Sequence, residues 1–189
     1  GSVAGFVTDD NGATWAPTNG TNGPLFGDQR CFPSTSIHIP YNDNPDDRII
    51  YFVQRGCFPS DPPVLFRTNA DGSRVQLMGG GQYPSFESRW TMDTCPIDRQ
   101  RFACIITNGL TAEGVLGLST NAGDTITPVS IDGSPQITRV AISGDDPDTL
   151  YIGGVGYVGY SEDFGDTIAN KKGDLPDDFY VRGFCGGTF

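Results

Sequence analysis

Oxygen donors are the residues of this chain best grouped for chemistry. Asp43, Asp46 and Asp47 share one short stretch, and Asp145, Asp146 and Asp148 share another; a hard cation such as calcium takes about six to eight oxygen ligands. Neither stretch has the spaced Asp/Asn ladder of a dedicated calcium loop. Asp-Pro-Asp is ordinary turn chemistry, because a short carboxylate accepts nearby backbone N–H groups, and both stretches read as turns. His38 is the single histidine. A zinc site needs several nitrogen or sulfur ligands converging, so His38 reads as a hydrogen-bonded strand residue. No metal and no cofactor is expected.

Thiols are the second chemical group, with five cysteines in the chain. Gln29-Arg30-Cys31-Phe32-Pro33-Ser34 and Gln54-Arg55-Gly56-Cys57-Phe58-Pro59-Ser60 nearly repeat. That favours a disulfide between Cys31 and Cys57, with Cys95 to Cys104 as the second choice, although spacing alone does not fix connectivity. An odd count leaves Cys185 free or able to pair between chains. Phe32, Phe58, Tyr83 and Phe86, with Arg30 and Arg55, form a candidate binding face on the loops around the repeat. Such rings either stack on a sugar or anchor a protein partner, or they cover the cysteines and cap the interior.

The elements that must position these groups are announced by a repeated hairpin. Thr8-Asp9-Asp10-Asn11-Gly12-Ala13-Thr14-Trp15 has the frame hydroxyl, x, Asp, x, Gly, x, Thr, bulky apolar. The frame returns as Ser119-Thr120-Asn121-Ala122-Gly123-Asp124-Thr125-Ile126 and as Ser161-Glu162-Asp163-Phe164-Gly165-Asp166-Thr167-Ile168. A worn copy, Thr68-Asn69-Ala70-Asp71-Gly72-Ser73-Arg74-Val75, keeps the hydroxyl and the glycine but has lost the acid. Glycine supplies the positive φ of a tight turn, and Asp or Asn two residues earlier accepts loop N–H groups. Each copy therefore reads as strand, turn, strand.

This frame resembles the Asp-box, or BNR repeat, of sialidases, sortilin-type luminal domains and xyloglucan-degrading enzymes. The resemblance implies a β-propeller in which each box joins the third and fourth strands of a blade, on the rim and away from the central pocket, so that the boxes are scaffold. A sialidase likeness would further imply an Arg-Ile-Pro motif, three carboxylate-gripping arginines, a Tyr nucleophile polarised by a Glu, and an Asp acid. There is no Arg-Ile-Pro here; the only glutamates are Glu87, Glu113 and Glu162, and Tyr83 near Glu87 is the best pair on offer. The xyloglucanase likeness implies two catalytic acids facing each other across two large propellers, a cleft that one small ring lacks. The expectation is a chain that is not an enzyme.

With 189 residues there is room for one domain of four blades, at roughly 40 to 50 residues each. The fold expected is all-β, a four-bladed β-propeller with blades at 34–78, 88–131 and 136–170 and one blade split between the termini, 177–189 plus 1–18. Pro45, Pro96 and Pro147 each stand in an acidic turn before a strand carrying an aromatic, Tyr51, Phe102 and Tyr151 respectively. The equal spacing from Tyr51 to Thr68 and from Phe102 to Ser119 makes those aromatics equivalent. The stretch 18–33 reads as a connector.

A net charge of −11 and a pI near 4.2 argue against nucleic acid and anionic membrane surfaces, both of which need basic patches. No run reaches the ~20 apolar residues of a membrane span. The cysteines and the sequon Asn19-Gly20-Thr21 lean to an oxidising, extracellular setting, with Asn19 as the glycosylation candidate. The start at Gly1 without a leader reads as a mature or trimmed chain. The leading functional expectation is a secreted, non-catalytic structural propeller that self-associates, into a fibre or matrix, by pairing or exchange of its terminal strands. A bare edge strand invites pairing, and a head-to-tail contact propagates unless it closes. A propeller that binds glycans or extracellular proteins is the alternative, and a glycoside hydrolase stands last.

Overall fold

In the computed structural model the described residues are 6–7, 12–14, 16–17, 19–20, 23–24, 36–38, 49–54, 64–68, 74–78, 92–107, 114–133 and 135–184. Every regular element among them is a β-strand. Two small hairpins come first: β1 (Phe6–Val7) with β2 (Ala16–Pro17), and β3 (Asn19–Gly20) with β4 (Gly23–Pro24). The second hairpin falls in the stretch 18–33, which was expected to be a plain connector.

Three four-stranded antiparallel meanders follow. Sheet A is β5 (Ser36–His38), β6 (Ile50–Gln54), β7 (Val64–Thr68) and β8 (Arg74–Met78). Sheet B is β9 (Met92–Thr94), β10 (Phe102–Thr107), β11 (Gly114–Ser119) and β12 (Thr127–Val129). Sheet C is β13 (Ile137–Ile142), β14 (Leu150–Gly154), β15 (Val158–Ser161) and β16 (Ala169–Asn170). The three sheets span residues 36–78, 92–129 and 137–170. The first strand of sheet B is tied to sheet C by a side chain. Its Asp93 makes the tie: one carboxylate oxygen accepts the Thr94 N–H at 3.0 Å, and the other accepts the Ile142 N–H of β13 at 2.9 Å.

The first strands gather, with β9 beside both β5 and β13, and each sheet lays one face on the next. Alternation along β10 makes this possible, because successive residues point to opposite faces. Phe102 and Cys104 pack with Tyr51 and Leu65 of sheet A. Ala103 and Ile105 pack with Leu150, Ile152, Val140 and Ile142 of sheet C, joined by Leu116 and Leu118 from β11. Sheet B is thus buried on both faces.

That alternation corrects the proposed Cys95 to Cys104 disulfide. Both residues are free, buried thiols, and they belong to different layers, Cys95 with the B/C cluster and Cys104 with the A/B cluster. Burial pushes the Cys104 thiol up to about 12. Cys31, Cys57 and Cys185 lie outside the described residues.

Strand register also corrects the aromatic repeat. The box hydroxyl pairs with Ile50 in sheet A (Thr68), with Phe102 in sheet B (Ser119) and with Leu150 in sheet C (Ser161). The equivalent residues are therefore Ile50, Phe102 and Leu150. Tyr51 and Tyr151 stand one place further on, beside Ala103, and a shift of one residue moves a side chain to the opposite face.

Candidate functional site

The box turns are built by the chemistry their residues carry. In sheet C the Ser161 hydroxyl donates to Asp163 Oδ1 at 2.8 Å and accepts the Gly165 N–H at 2.8 Å. Asp163 then accepts the Thr167 N–H at 2.8 Å and the Thr167 hydroxyl at 2.6 Å. These bonds, the Thr167 hydroxyl first, hold the Asp163 carboxyl below its ordinary range. Sheet B repeats the pattern with Ser119, Asn121, Gly123 and Thr125: Ser119 Oγ accepts the Gly123 N–H at 2.8 Å, and Asn121 Oδ1 accepts the Thr125 N–H at 2.9 Å. Asn121 has no second oxygen for the Thr125 hydroxyl. Gly123 and Gly165 have φ of 91° and 90°, and Gly12 in the first box has φ of 90°. The three glycines share the same left-handed φ.

The boxes of sheets B and C also receive the preceding sheet. A side chain added at Gly123 would overlap Leu77 of β8, and one added at Gly165 would overlap Leu118 of β11. Arg67, on the face of sheet A that meets sheet B, donates from Nη1 to the Ala122 carbonyl at 2.7 Å and pairs with Asp124 at 3.0 Å. Arg101 of sheet B donates to the Pro147 carbonyl at 3.2 Å, pairs with Asp148, and lies 5.0 Å from the Phe164 ring centroid. In both cases a guanidinium crosses from one sheet into the box or the acidic turn of the next. Neither arginine stood out in the sequence, although Arg67 sits two residues after Leu65, on the face that must be buried.

The acidic turn at 145–148 does structural work. Asp146 accepts the Asp148 N–H at 3.0 Å and the Thr149 hydroxyl at 2.6 Å, and the hydroxyl bond leads in holding its carboxyl low. Among the described residues no three His, Cys, Asp or Glu side chains converge as a metal site would require.

The face of sheet C that points away from sheet B differs from its counterparts. Tyr51 and Ala103, at one register position, are 0% exposed, whereas Tyr151 at the same position in sheet C is 38% exposed. At the neighbouring position the order is Arg67, Leu118, Tyr160. The Tyr151 and Tyr160 rings lie 5.6 Å apart, Phe184 is 6.0 Å from Tyr151, and the Lys171 ammonium sits 5.9 Å from the Tyr160 centroid. The Tyr160 hydroxyl donates to Glu162 at 2.8 Å, and that bond leads in raising the phenol.

The C-terminal stretch covers only part of this face. Val181 and Phe184 occupy the space over Gly153, where a Cβ would overlap Val181. Tyr180 bridges to Val155, the Gly156 N–H donates to the Phe179 carbonyl at 2.8 Å, and the Arg139 Nε–H donates to the Arg182 carbonyl at 2.8 Å. Residues 179–184 therefore run beside β13, as β13 runs beside β9.

Several sequence candidates cannot be placed. Arg30, Phe32, Arg55, Phe58, Tyr83, Phe86 and Glu87 lie outside the described residues, as do Thr8, Asp10, Trp15 and Gly72 of the boxes. The same holds for Asp43, Asp46 and Asp47. Asn19 is in β3, opposite Pro24; Thr14 is exposed in the first box turn; His38 pairs in register with Tyr51. No helix among the described residues is long and apolar enough to cross a membrane.

No family model and no curated protein sequence matches the chain. Solved structures do. The GH74 xyloglucanase from Xanthomonas campestris superposes with a TM-score of 0.59 at 16% identity, over 88% of this chain and 25% of that one. The GH74 enzyme of Niastella koreensis gives 0.52 at 18% identity, over 89% and 27%. An ancestral GH74 enzyme gives 0.52 at 13% identity, over 86% and 20%. The chain spans about a quarter of the length of these relatives. Likeness at such identity speaks for the fold alone, and that fold is the β-propeller.

Proposed function

We propose that this chain is a non-catalytic, extracellular propeller module that self-associates through the blade its termini share. The single observation that carries the reading is the uncovered Tyr151 position of sheet C, since the same position in sheets A and B is buried by the following blade. Residues 179–184 lie where the first strand of a further blade would lie, and the N-terminal hairpin carries the box such a blade requires. Completing it from another molecule builds a chain of molecules, because a head-to-tail contact propagates unless it closes into a ring. The described carboxyls held below their ordinary pKa range, Asp146, Asp163 and Asp177, are bonded chiefly by Thr149, Thr167 and Lys172 respectively, which supports a scaffold rather than a reacting centre.

The test is the mass of the native particle by light scattering, with negative-stain images, before and after reduction. Regular polymers are expected; particles of single-chain mass at every concentration would end the self-association reading. Release of reducing sugar from xyloglucan would end the non-catalytic one. The exposed Tyr151 ring, with the half-buried Tyr160 ring beside it, favours a second reading, a glycan- or protein-binding propeller, because aromatic faces stack on sugars and anchor partners. Glycan-array binding by single-chain particles would select it.

A further inference from the structure

Independently of how copies of the chain associate, we propose that the turn Lys171-Lys172-Gly173 is a processing site for a lysine-specific endopeptidase. The bond cut in the folded protein is the one between Lys172 and Gly173, and the segment 179–184 stays seated afterwards as a bound peptide. Lys171 and Lys172 are the only lysines in 189 residues. A protease pocket that selects a lysine ammonium therefore finds its target at one place in the chain.

That place is accessible. The turn leaves β16, which pairs with β15, and ends at Phe179, whose carbonyl accepts the Gly156 N–H at 2.8 Å. Lys171 and residues 173–178 are exposed, and Lys172 is half-buried. Exposed loop tips are the preferred sites of proteolytic nicking, because a few residues can be drawn into a protease without disturbing a core. The bonds to be broken lie at the surface. The Lys172 N–H donates to Asn170 Oδ1 at 3.0 Å, the Leu175 N–H donates to the Lys172 carbonyl at 3.3 Å, and the Lys172 ammonium pairs with Asp177. Such contacts open locally while the sheets stay closed. By contrast Arg67, Arg101 and Arg139 are tied to carbonyls of other elements.

Two observations select the second lysine. The Lys171 N–H donates to the Val158 carbonyl at 2.7 Å, continuing the strand pairing, and its ammonium sits 5.9 Å from the Tyr160 centroid. Gly173 has a φ of 58°, and among the described residues a Cβ there would meet nothing within 4 Å. The Lys172–Gly173 bond thus lies beyond the pairing and faces open space. The Lys172 side chain is 19% exposed and that of Asp177 97% exposed, so the acid is the loosely held partner and its departure frees the lysine.

In the cut, water adds to the Lys172 carbonyl and the C–N bond breaks, leaving a carboxylate on Lys172 and an ammonium on Gly173. The segment beyond has contacts of its own. Tyr180 bridges to Val155, the Val181 N–H donates to the Gly154 carbonyl at 3.3 Å, the Thr138 hydroxyl donates to the Val181 carbonyl at 3.3 Å, and Val181 and Phe184 lie over Gly153. Without the tether that seat becomes a bimolecular one, which depends on concentration. Processing therefore makes the cover beside Tyr151 exchangeable.

The experiment treats the full native chain with lysyl endopeptidase and reads intact mass, then gel filtration in native and denaturing buffer. One cut is expected, between Lys172 and Gly173, with two pieces that elute together until denatured. Asp177→Asn should be cut about two- to fivefold faster, the effect of losing an exposed ion pair. Lys172→Gln should be cut about tenfold or more slowly although Lys171 remains. A native chain that resists while the urea-unfolded chain is cut would overturn the site. So would a main product ending at Lys171, or an unchanged rate in Lys172→Gln. A C-terminal piece lost in native buffer would overturn the seated segment.

Discussion

The rings of Tyr51 and Phe102, from neighbouring sheets, meet at 5.0 Å between centroids and 56° between planes, and both are fully buried. Tilted pairs of this kind add about 0.5–1.5 kcal/mol beyond the area they bury. The Tyr51 hydroxyl, raised by burial, also donates to the Arg99 carbonyl at 3.1 Å. Tyr51→Phe removes only that hydrogen bond and should cost about 1 kcal/mol. Phe102→Ala should cost about 3–5 kcal/mol, through lost transfer energy and the cavity left behind. Urea unfolding of the single and double Ala variants gives the coupling, and additive costs would mean that the rings stabilise the A/B interface independently.

Arg67 and Asp124 should prove unequal partners. The Arg67 side chain is 12% exposed and that of Asp124 66% exposed, so Asp124→Ala removes a solvated charge and should cost about 0–1 kcal/mol. Arg67→Ala also deprives the Ala122 carbonyl of its donor and empties the space between the sheets, for about 1–3 kcal/mol. Chemical denaturation in low and high salt separates them. Equal losses that both vanish in salt would reduce the contact to a surface ion pair.

Gly165 combines two demands, a φ of 90° and a Cβ position already filled by Leu118. Gly165→Ala should therefore destabilise by more than about 1 kcal/mol, since alanine strains at positive φ. Leu118→Ala in the same chain should relieve the overlap and leave the backbone strain. A thermal midpoint for Gly165→Ala equal to wild type would contradict both demands at once.

Acid should loosen the box of sheet C more than that of sheet B. The Asp163 carboxyl is held below its unfolded value of about 3.9. A depressed folded value contributes stability that is fully present above the unfolded pKa and is lost as the pH falls through the folded one. The loss therefore lies below about pH 4. Asp163→Asn cannot titrate and copies Asn121, so its unfolding midpoint should fall less steeply with acid than the wild type. Asp146, lowered chiefly by the Thr149 hydroxyl, keeps some dependence in either protein. Identical acid slopes would show that Asp163 carries none of it.

The box hairpins were legible in the sequence because their chemistry is local. A hydroxyl, an acid or amide and a glycine within five residues satisfy one another, and Ser161, Asp163 and Gly165 do so with few contributions from elsewhere. Strand-forming stretches are signalled for a similar reason, since short apolar runs bounded by turn residues mark them. The interface arginines were not, because Arg67 and Arg101 acquire their roles from carbonyls 55 and 46 residues away.

By itself the sequence pointed to β structure, which is what the described residues show, and to the turns at 119–126 and 161–168. Only the tertiary structure decided which faces those strands share. Register made Ile50 and Leu150, rather than Tyr51 and Tyr151, the equivalents of Phe102, put Cys95 and Cys104 in separate layers, and left Tyr151 uncovered where Tyr51 is sealed. The physical reason is the two-residue period of a strand. A turn follows from neighbours in sequence, whereas a one-residue slip in pairing reverses every side chain, and pairing is settled by partners that are distant along the chain.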